Sequence, residues 1–125
     1  MARFPADVLE RLDAAKVVEI ETRSPKGTKH SVPIWIVVVD GVPYIRSVRG
    51  PRGRWYRELL ARGQGAVVAG GKRVPVNAIH DSSPSTIEGV SEALRKKYRG
   101  SGQSLASMLR ADVLDTTVRL ESAED

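Results

Sequence analysis

The 125-residue sequence contains no cysteine. Disulfides, thiolate-ligated zinc and cysteine nucleophiles are therefore excluded. Aromatic residues make up only 5% of the chain, too few for an extended base-stacking platform. Long hydrophobic runs are missing as well. The longest, Val32 to Val39, falls far short of the roughly 20 residues that span a bilayer. The start, MARFPADVLERLD, has no apolar stretch of signal-peptide length. These absences set the expectation of a soluble, cytoplasmic protein that meets no membrane. The only histidines are His30 and His80, and neither has an acidic residue at metal-ligand spacing, so no metal site is expected. His80-Asp81-Ser82-Ser83 offers triad residue types, but there is no GxSxG-like elbow and adjacent side chains seldom face each other.

What is present bounds the rest. A chain of this length with 41% hydrophobic residues can bury one core, so residues 1–125 are expected to form a single domain. Net charge is +5 and the sequence pI about 9.9, a balance that suits anionic ligands. The positive charge is concentrated. Five arginines fall between Arg46 and Arg57 with no acid among them, whereas the tail from Glu121 to Asp125 is acidic. Nucleic-acid binding would explain the pI, but there is no recognition helix and no aromatic-interleaved sheet signature. A small-molecule anion is the expected partner instead.

Periodicity gives the elements. Residues 5–15 read as a helix with Val8, Leu9 and Leu12 on one face, and residues 16–23 alternate as a strand. Ser24 to Gly27 is a turn. Residues 29–39 read as one longer strand, joined across Asp40-Gly41 to a partner at 42–48. Pro33 and Pro43 must each sit at an edge, a bulge or a strand end, because proline cannot donate to the ladder. A loop from Arg49 to Gly53 then opens a helix at 54–62, with Gly63 as its cap. Residues 65–69 and 73–79 form a second hairpin across Gly70-Gly71. Residues 84–98 form the best helix, with Ser85 and Glu88 at capping-box spacing and Gly100 following it. A shorter helix over 104–110 and a last strand over 113–120 complete the order. Six short strands joined mostly by hairpins predict a mainly β fold with flanking helices, an antiparallel sheet that closes to remove its edges.

Two constellations carry candidate chemistry. The first is the strand-loop-helix corner Arg46-Ser47-Val48-Arg49-Gly50-Pro51-Arg52-Gly53-Arg54-Trp55-Tyr56. Backbone N–H groups at a helix start attract anions, and arginines add bidentate phosphate contacts. Ser47 can add a hydroxyl donor. Two readings fit it: a phosphate cradle, or a solvated basic loop over a buried Trp55. The second is Val32-Pro33-Ile34-Trp35. Pro33 frees the carbonyl of its strand partner, and Trp35 either stacks on a planar ligand or fills a core or dimer interface.

The stretch VPIWIVVVDGVPYIRSVRGPRGRWYRELLARG resembles the split-barrel flavin- and deazaflavin-binding superfamily, which includes pyridoxamine-phosphate-oxidase-like proteins and deazaflavin-dependent nitroreductases. Val32-Pro33-Ile34-Trp35 matches the strand along the cofactor ring. Ser47-Val48-Arg49-Gly50 matches a Ser-Lys-Gly-Gly-like phosphate motif, with Val48 in place of its lysine and Pro51 after Gly50. Trp55-Tyr56 matches the pair that opens the next helix. Over residues 7–120 the chain is similar to a compact bacterial family of unknown function within that superfamily. The resemblance implies a six-stranded antiparallel split β-barrel, usually a homodimer with the cofactor at the interface. It implies FMN or a deazaflavin coenzyme, and hydride transfer to a small organic acceptor or cofactor binding without turnover. Arg46, Arg52 and Arg54 join the phosphate group by charge and position alone. Tyr44 and Tyr56 are the candidate donors to a substrate.

Overall fold

The computed structural model describes residues 3–123. Helix α1 (Ala6–Ala14) leads into strand β1 (Val18–Arg23). Strands β2 (Lys29–Ile34), β3 (Val37–Val39) and β4 (Val42–Ile45) follow. A 3₁₀ turn (Gly50–Arg52) and helix α2 (Arg54–Arg62) precede the hairpin β5 (Gln64–Ala69) and β6 (Lys72–His80). Helices α3 (Pro84–Lys97), α4 (Gln103–Met108) and α5 (Ala111–Leu114) then lead to β7 (Val118–Ser122).

The seven strands form one antiparallel sheet in the order β2-β1-β5-β6-β7-β4-β3. Its two edges, β2 and β3, are joined by only two residues, Trp35 and Ile36. A flat sheet cannot place adjacent residues on opposite edges, so the sheet must curl into a half-barrel. Both tight hairpins follow from their turn residues. Asp40 and Gly41 have φ of 51° and 77°, and Gly70 and Gly71 have 58° and 80°. Positive φ at both central positions gives the twist that a two-residue hairpin needs.

Two apolar layers hold the half-barrel. Leu12 of α1, Ile20, Ile45, Val67, Val76 and Leu120 of the sheet, Ile36 between β2 and β3, and Leu59 of α2 are buried together inside it. A second cluster, Val37, Val90, Leu94, Tyr98 and Met108, seats α3 and α4 against β3 on the outside. Among the described residues, no helix is long and apolar enough to cross a membrane, and no group of His, Asp and Glu could hold a metal ion.

Several sequence expectations change. There are seven strands rather than six, because the expected strand 29–39 is broken at Trp35-Ile36. The Ile36 N–H donates to the Tyr98 hydroxyl at 3.2 Å, and its carbonyl accepts from Lys97 Nζ at 2.7 Å. Side chains at the C-terminal end of α3 therefore replace the ladder at that residue. The expected strand 113–120 is partly helix α5, with β7 starting only at Val118. Thr116 and Thr117 explain the change, since their hydroxyls donate back to the Val113 and Leu114 carbonyls at 2.6 and 2.7 Å and close a helical turn. The capping box is also displaced. Helix α3 begins at Pro84 after Ser83, whose hydroxyl bonds Asp81 and Thr86 instead of the helix backbone. Gly63 does cap α2, at φ 72° with its N–H on the Leu59 carbonyl, but α3 ends at Tyr98 without help from Gly100.

Candidate functional site: a two-compartment cleft at the arginine corner

The corner after β4 is held by hydrogen bonds within the turn and to Thr116. The Ser47 N–H donates to Thr116 Oγ1 at 3.0 Å and its hydroxyl to the Gly50 carbonyl at 2.8 Å. Gly50 returns its N–H to the Ser47 carbonyl at 2.9 Å and holds φ at 70°, where a side chain would be strained. A Cβ at Gly53 would collide with the Ser47 hydroxyl. Arg110 ties the loop from outside by donating to the Val48 carbonyl at 2.8 Å. A rigid turn results, from which α2 starts.

This corner faces β2 and α4 across a cleft with two adjoining compartments. Pro33, Val48 and Trp55 line both. The first, about 290 Å³, is mostly apolar, with Ile34, Trp35, Arg46, Ser104, Ser107 and Met108 completing its wall. The second, about 450 Å³, is closed by Val32, Ser47, Arg49, Gly53 and Arg54. The Arg49 and Arg54 side chains are exposed and, among the described residues, form no hydrogen bond or close ion pair, although the Arg54 charge acts on Glu58. Helix α2 starts at this compartment with no side-chain cap and no acid in its first turn. Its free N–H groups and positive dipole end add to the two guanidinium groups.

Nine of the twelve residues singled out in the sequence therefore line one cleft: Val32, Pro33, Ile34, Trp35, Arg46, Ser47, Arg49, Arg54 and Trp55. Their local roles differ. Ser47 is 1% exposed and its hydroxyl proton is held by Gly50, so Ser47 builds the turn. Arg46 is also buried. Its guanidinium donates to Thr117 Oγ1, the Met108 carbonyl and the Ile87 carbonyl at 2.8, 3.2 and 2.9 Å. Burial, and secondarily the charge of Arg95, lowers its pKa to about 10. Trp35 lies parallel to Tyr98, with centroids 3.9 Å apart and planes 1° from parallel, so one face of the indole is already covered. Trp55 meets Tyr56 edge-on at 6.2 Å.

Three of the twelve lie elsewhere. Gly50 is buried inside the turn, and exposed Arg52 offers its carbonyl to Arg57. Tyr56 is packed in the inner core, where burial raises its pKa. Tyr44, the other proposed donor, faces Arg119 across β4 and β7 and lines neither compartment. Both tyrosines are thus removed from the candidate substrate contacts. The sequence reading missed Ser104, Ser107 and Met108. Helix α4 was visible as a helical segment, but nothing local shows where it docks.

Beside the cleft, α2 is fastened to the sheet by a part-buried polar cluster. Glu58 accepts from Thr22 at 2.7 Å and lies 3.0 Å from His30 Nδ1. Burial pushes the Glu58 carboxyl up, but hydrogen bonds from His30 and Thr22 and the charges of His30 and Arg54 outweigh it. The net pKa is below the ordinary value. His30 is thereby engaged, while His80 bonds the Asp115 carbonyl at 2.6 Å.

Residues 8–120 match the family described as "Uncharacterized protein conserved in bacteria (DUF2255)". The chain belongs to this family. No curated protein matches it. Among solved structures, the conserved hypothetical protein Rv2991 of Mycobacterium tuberculosis superposes with a TM-score of 0.71 at 14% identity, over 99% of this chain and 83% of that one. A putative pyridoxamine 5'-phosphate oxidase of Listeria innocua gives 0.68 at 13%, over 94% and 92%. An F420-H2-dependent reductase gives 0.63 at 19%, over 85% and 94%. At such identities the likeness establishes the fold, a split half-barrel shared with pyridoxamine-phosphate-oxidase-like proteins and F420-dependent reductases. This DUF2255 member has the expected fold class, with the one extra strand explained above.

Proposed function

We propose that this DUF2255 protein binds a phosphate-bearing flavin-type cofactor, FMN or a deazaflavin, in the two-compartment cleft. One observation carries the reading: an aromatic, mostly apolar compartment adjoins one lined by two exposed guanidinium groups and an uncapped helix start. A planar ring with a phosphate tail has the same division. Arg49, Arg54 and the first N–H groups of α2 would hold the phosphate. Pro33, Trp35 and Trp55 would border the ring. The split-barrel neighbours include an F420-H2-dependent reductase and a putative pyridoxamine 5'-phosphate oxidase, which supports the same class of ligand.

The activity that follows is oxidoreduction, with hydride passed to a small organic acceptor. The bound cofactor would supply the electron chemistry, while the protein binds, orients and limits water. No side chain in the cleft is required as acid or base. A homodimer is part of the proposal. Strand β2 is a sheet edge beside the cleft, and Val48, 44% exposed, is an unusually open apolar residue on its rim.

The test is a fluorescence titration of the purified protein with FMN, riboflavin and coenzyme F420. FMN or F420 is expected to bind, and riboflavin, lacking the phosphate, to bind at least tenfold more weakly than FMN. Each of Arg49→Ala and Arg54→Ala is expected to weaken FMN by about tenfold or more, the scale of one charge-assisted hydrogen bond. Riboflavin binding should be unchanged in both variants. Absence of binding by both phosphate-bearing cofactors would refute the proposal. Cofactor binding without turnover of quinone, nitroaromatic or enone acceptors would leave a cofactor carrier in place of an enzyme.

A further inference from the structure

Arg46 is a buried cation with no counter-ion among the described residues. It is 2% exposed, yet its three hydrogen bonds go to neutral oxygens: the Thr117 hydroxyl and the Met108 and Ile87 carbonyls. Among the described residues no carboxylate forms an ion pair with it. The other charge that acts on it is Arg95 of α3, which has the same sign. Five N–H donors serve these three bonds, so two N–H groups remain beyond them. Sequestering a charge from water is costly unless an opposite charge compensates it. Carbonyl dipoles reduce that cost but supply no net negative charge. Arg46 also lines the apolar compartment, together with Trp35, Trp55 and Met108.

We propose that the apolar compartment selects planar anions, with the delocalised negative charge of the ligand set against the Arg46 guanidinium. The inference rests on the reading of the cleft as a ligand site, and it names the charge state that the ring compartment favours. A conjugated ring carrying a phenolate- or enolate-type charge offers a planar face to the aromatic lining and an opposite charge to the Arg46 guanidinium. A neutral ring of the same shape leaves the cation uncompensated. The same residue explains why α3 and α4 sit where they do, since Arg46 ties their carbonyls to the barrel.

4-Nitrophenol tests this without reference to any cofactor, because its absorbance reports its own ionisation. Its pKa is measured free and at saturating wild-type protein. The bound probe is expected to ionise about one pH unit or more lower, equivalent to a tenfold preference for the anion. Arg46→Met should abolish the shift and Arg46→Lys should retain part of it, with circular dichroism confirming that each is folded. Trp35→Phe, which keeps Arg46, should weaken both forms together and keep the shift. If Arg46→Met does not fold, the wild-type shift and its retention in Trp35→Phe decide the matter. An unshifted bound pKa, or no binding of either form at millimolar probe, overturns the inference. Nitrophenolate selectivity without FMN or F420 binding would sink the cofactor reading alone. Cofactor binding with an unshifted nitrophenol would sink only the Arg46 inference.

Discussion

Replacing Tyr98 with phenylalanine isolates the contact that breaks the long strand. The Tyr98 hydroxyl accepts from the Ile36 N–H at 3.2 Å and donates to the Lys16 carbonyl at 2.7 Å. Ile36 is fully buried, so no water can replace the lost acceptor. The bond to the Lys16 carbonyl is only part-buried, so its loss costs less than that of the buried Ile36 N–H. The Ile36 carbonyl keeps Lys97 Nζ at 2.7 Å. The ring stack on Trp35 survives because phenylalanine keeps the six-membered ring. The loss thus reduces to one buried, unsatisfied N–H, worth about 1–3 kcal/mol. For a chain of this size, each kcal/mol lowers the melting temperature by about 4 °C, so a drop of about 4–12 °C is expected. Urea denaturation followed by circular dichroism should show a lower midpoint with an unchanged slope. A change below about 0.5 kcal/mol would refute the reasoning, since it would mean that Ile36 finds another acceptor or that the strand continues through it.

Other outcomes follow from the same geometry. The Glu58 carboxyl has its pKa below the ordinary value in the folded protein, so its contribution is present above the unfolded carboxyl range and is lost as pH falls through the folded value. Glu58→Gln should therefore be less stable than wild type at pH 6, and the gap should narrow as pH drops below about 4; a pH series of urea midpoints reads this. Gly53→Ala should lose about 1–3 kcal/mol because the added methyl collides with the Ser47 hydroxyl, and Ser47→Gly in the same chain should recover part of it in thermal melts.

Much of the local structure was legible because its cause is local. Asp40-Gly41 and Gly70-Gly71 read as hairpins since both central residues tolerate positive φ. Helix α2 and its Gly63 cap were legible for the same reason. The arginine corner could be located, since charge clustering and a strand-to-helix transition are features of consecutive residues. The burial of Arg46 and Tyr56 could not be read, because each depends on side chains distant in sequence. Arg46 bonds Ile87, Met108 and Thr117, and Tyr56 packs among residues from both ends of the chain.

The clearest case is the run Val32 to Val39. By itself it is an apolar run rich in valine and isoleucine, and sequence determined its extended backbone and its apolar character. Only the tertiary structure decided that it splits at Ile36 and supplies both edges of one sheet. The physical reason is that Lys97 and Tyr98, some sixty residues away in sequence, offer the Ile36 peptide a donor and an acceptor that a neighbouring strand would otherwise provide. That split curls the sheet into a half-barrel, stacks Trp35 on Tyr98, and brings β2 across from the arginine corner. The residues of the cleft were written in the sequence; their meeting was decided by contacts between segments distant in the chain.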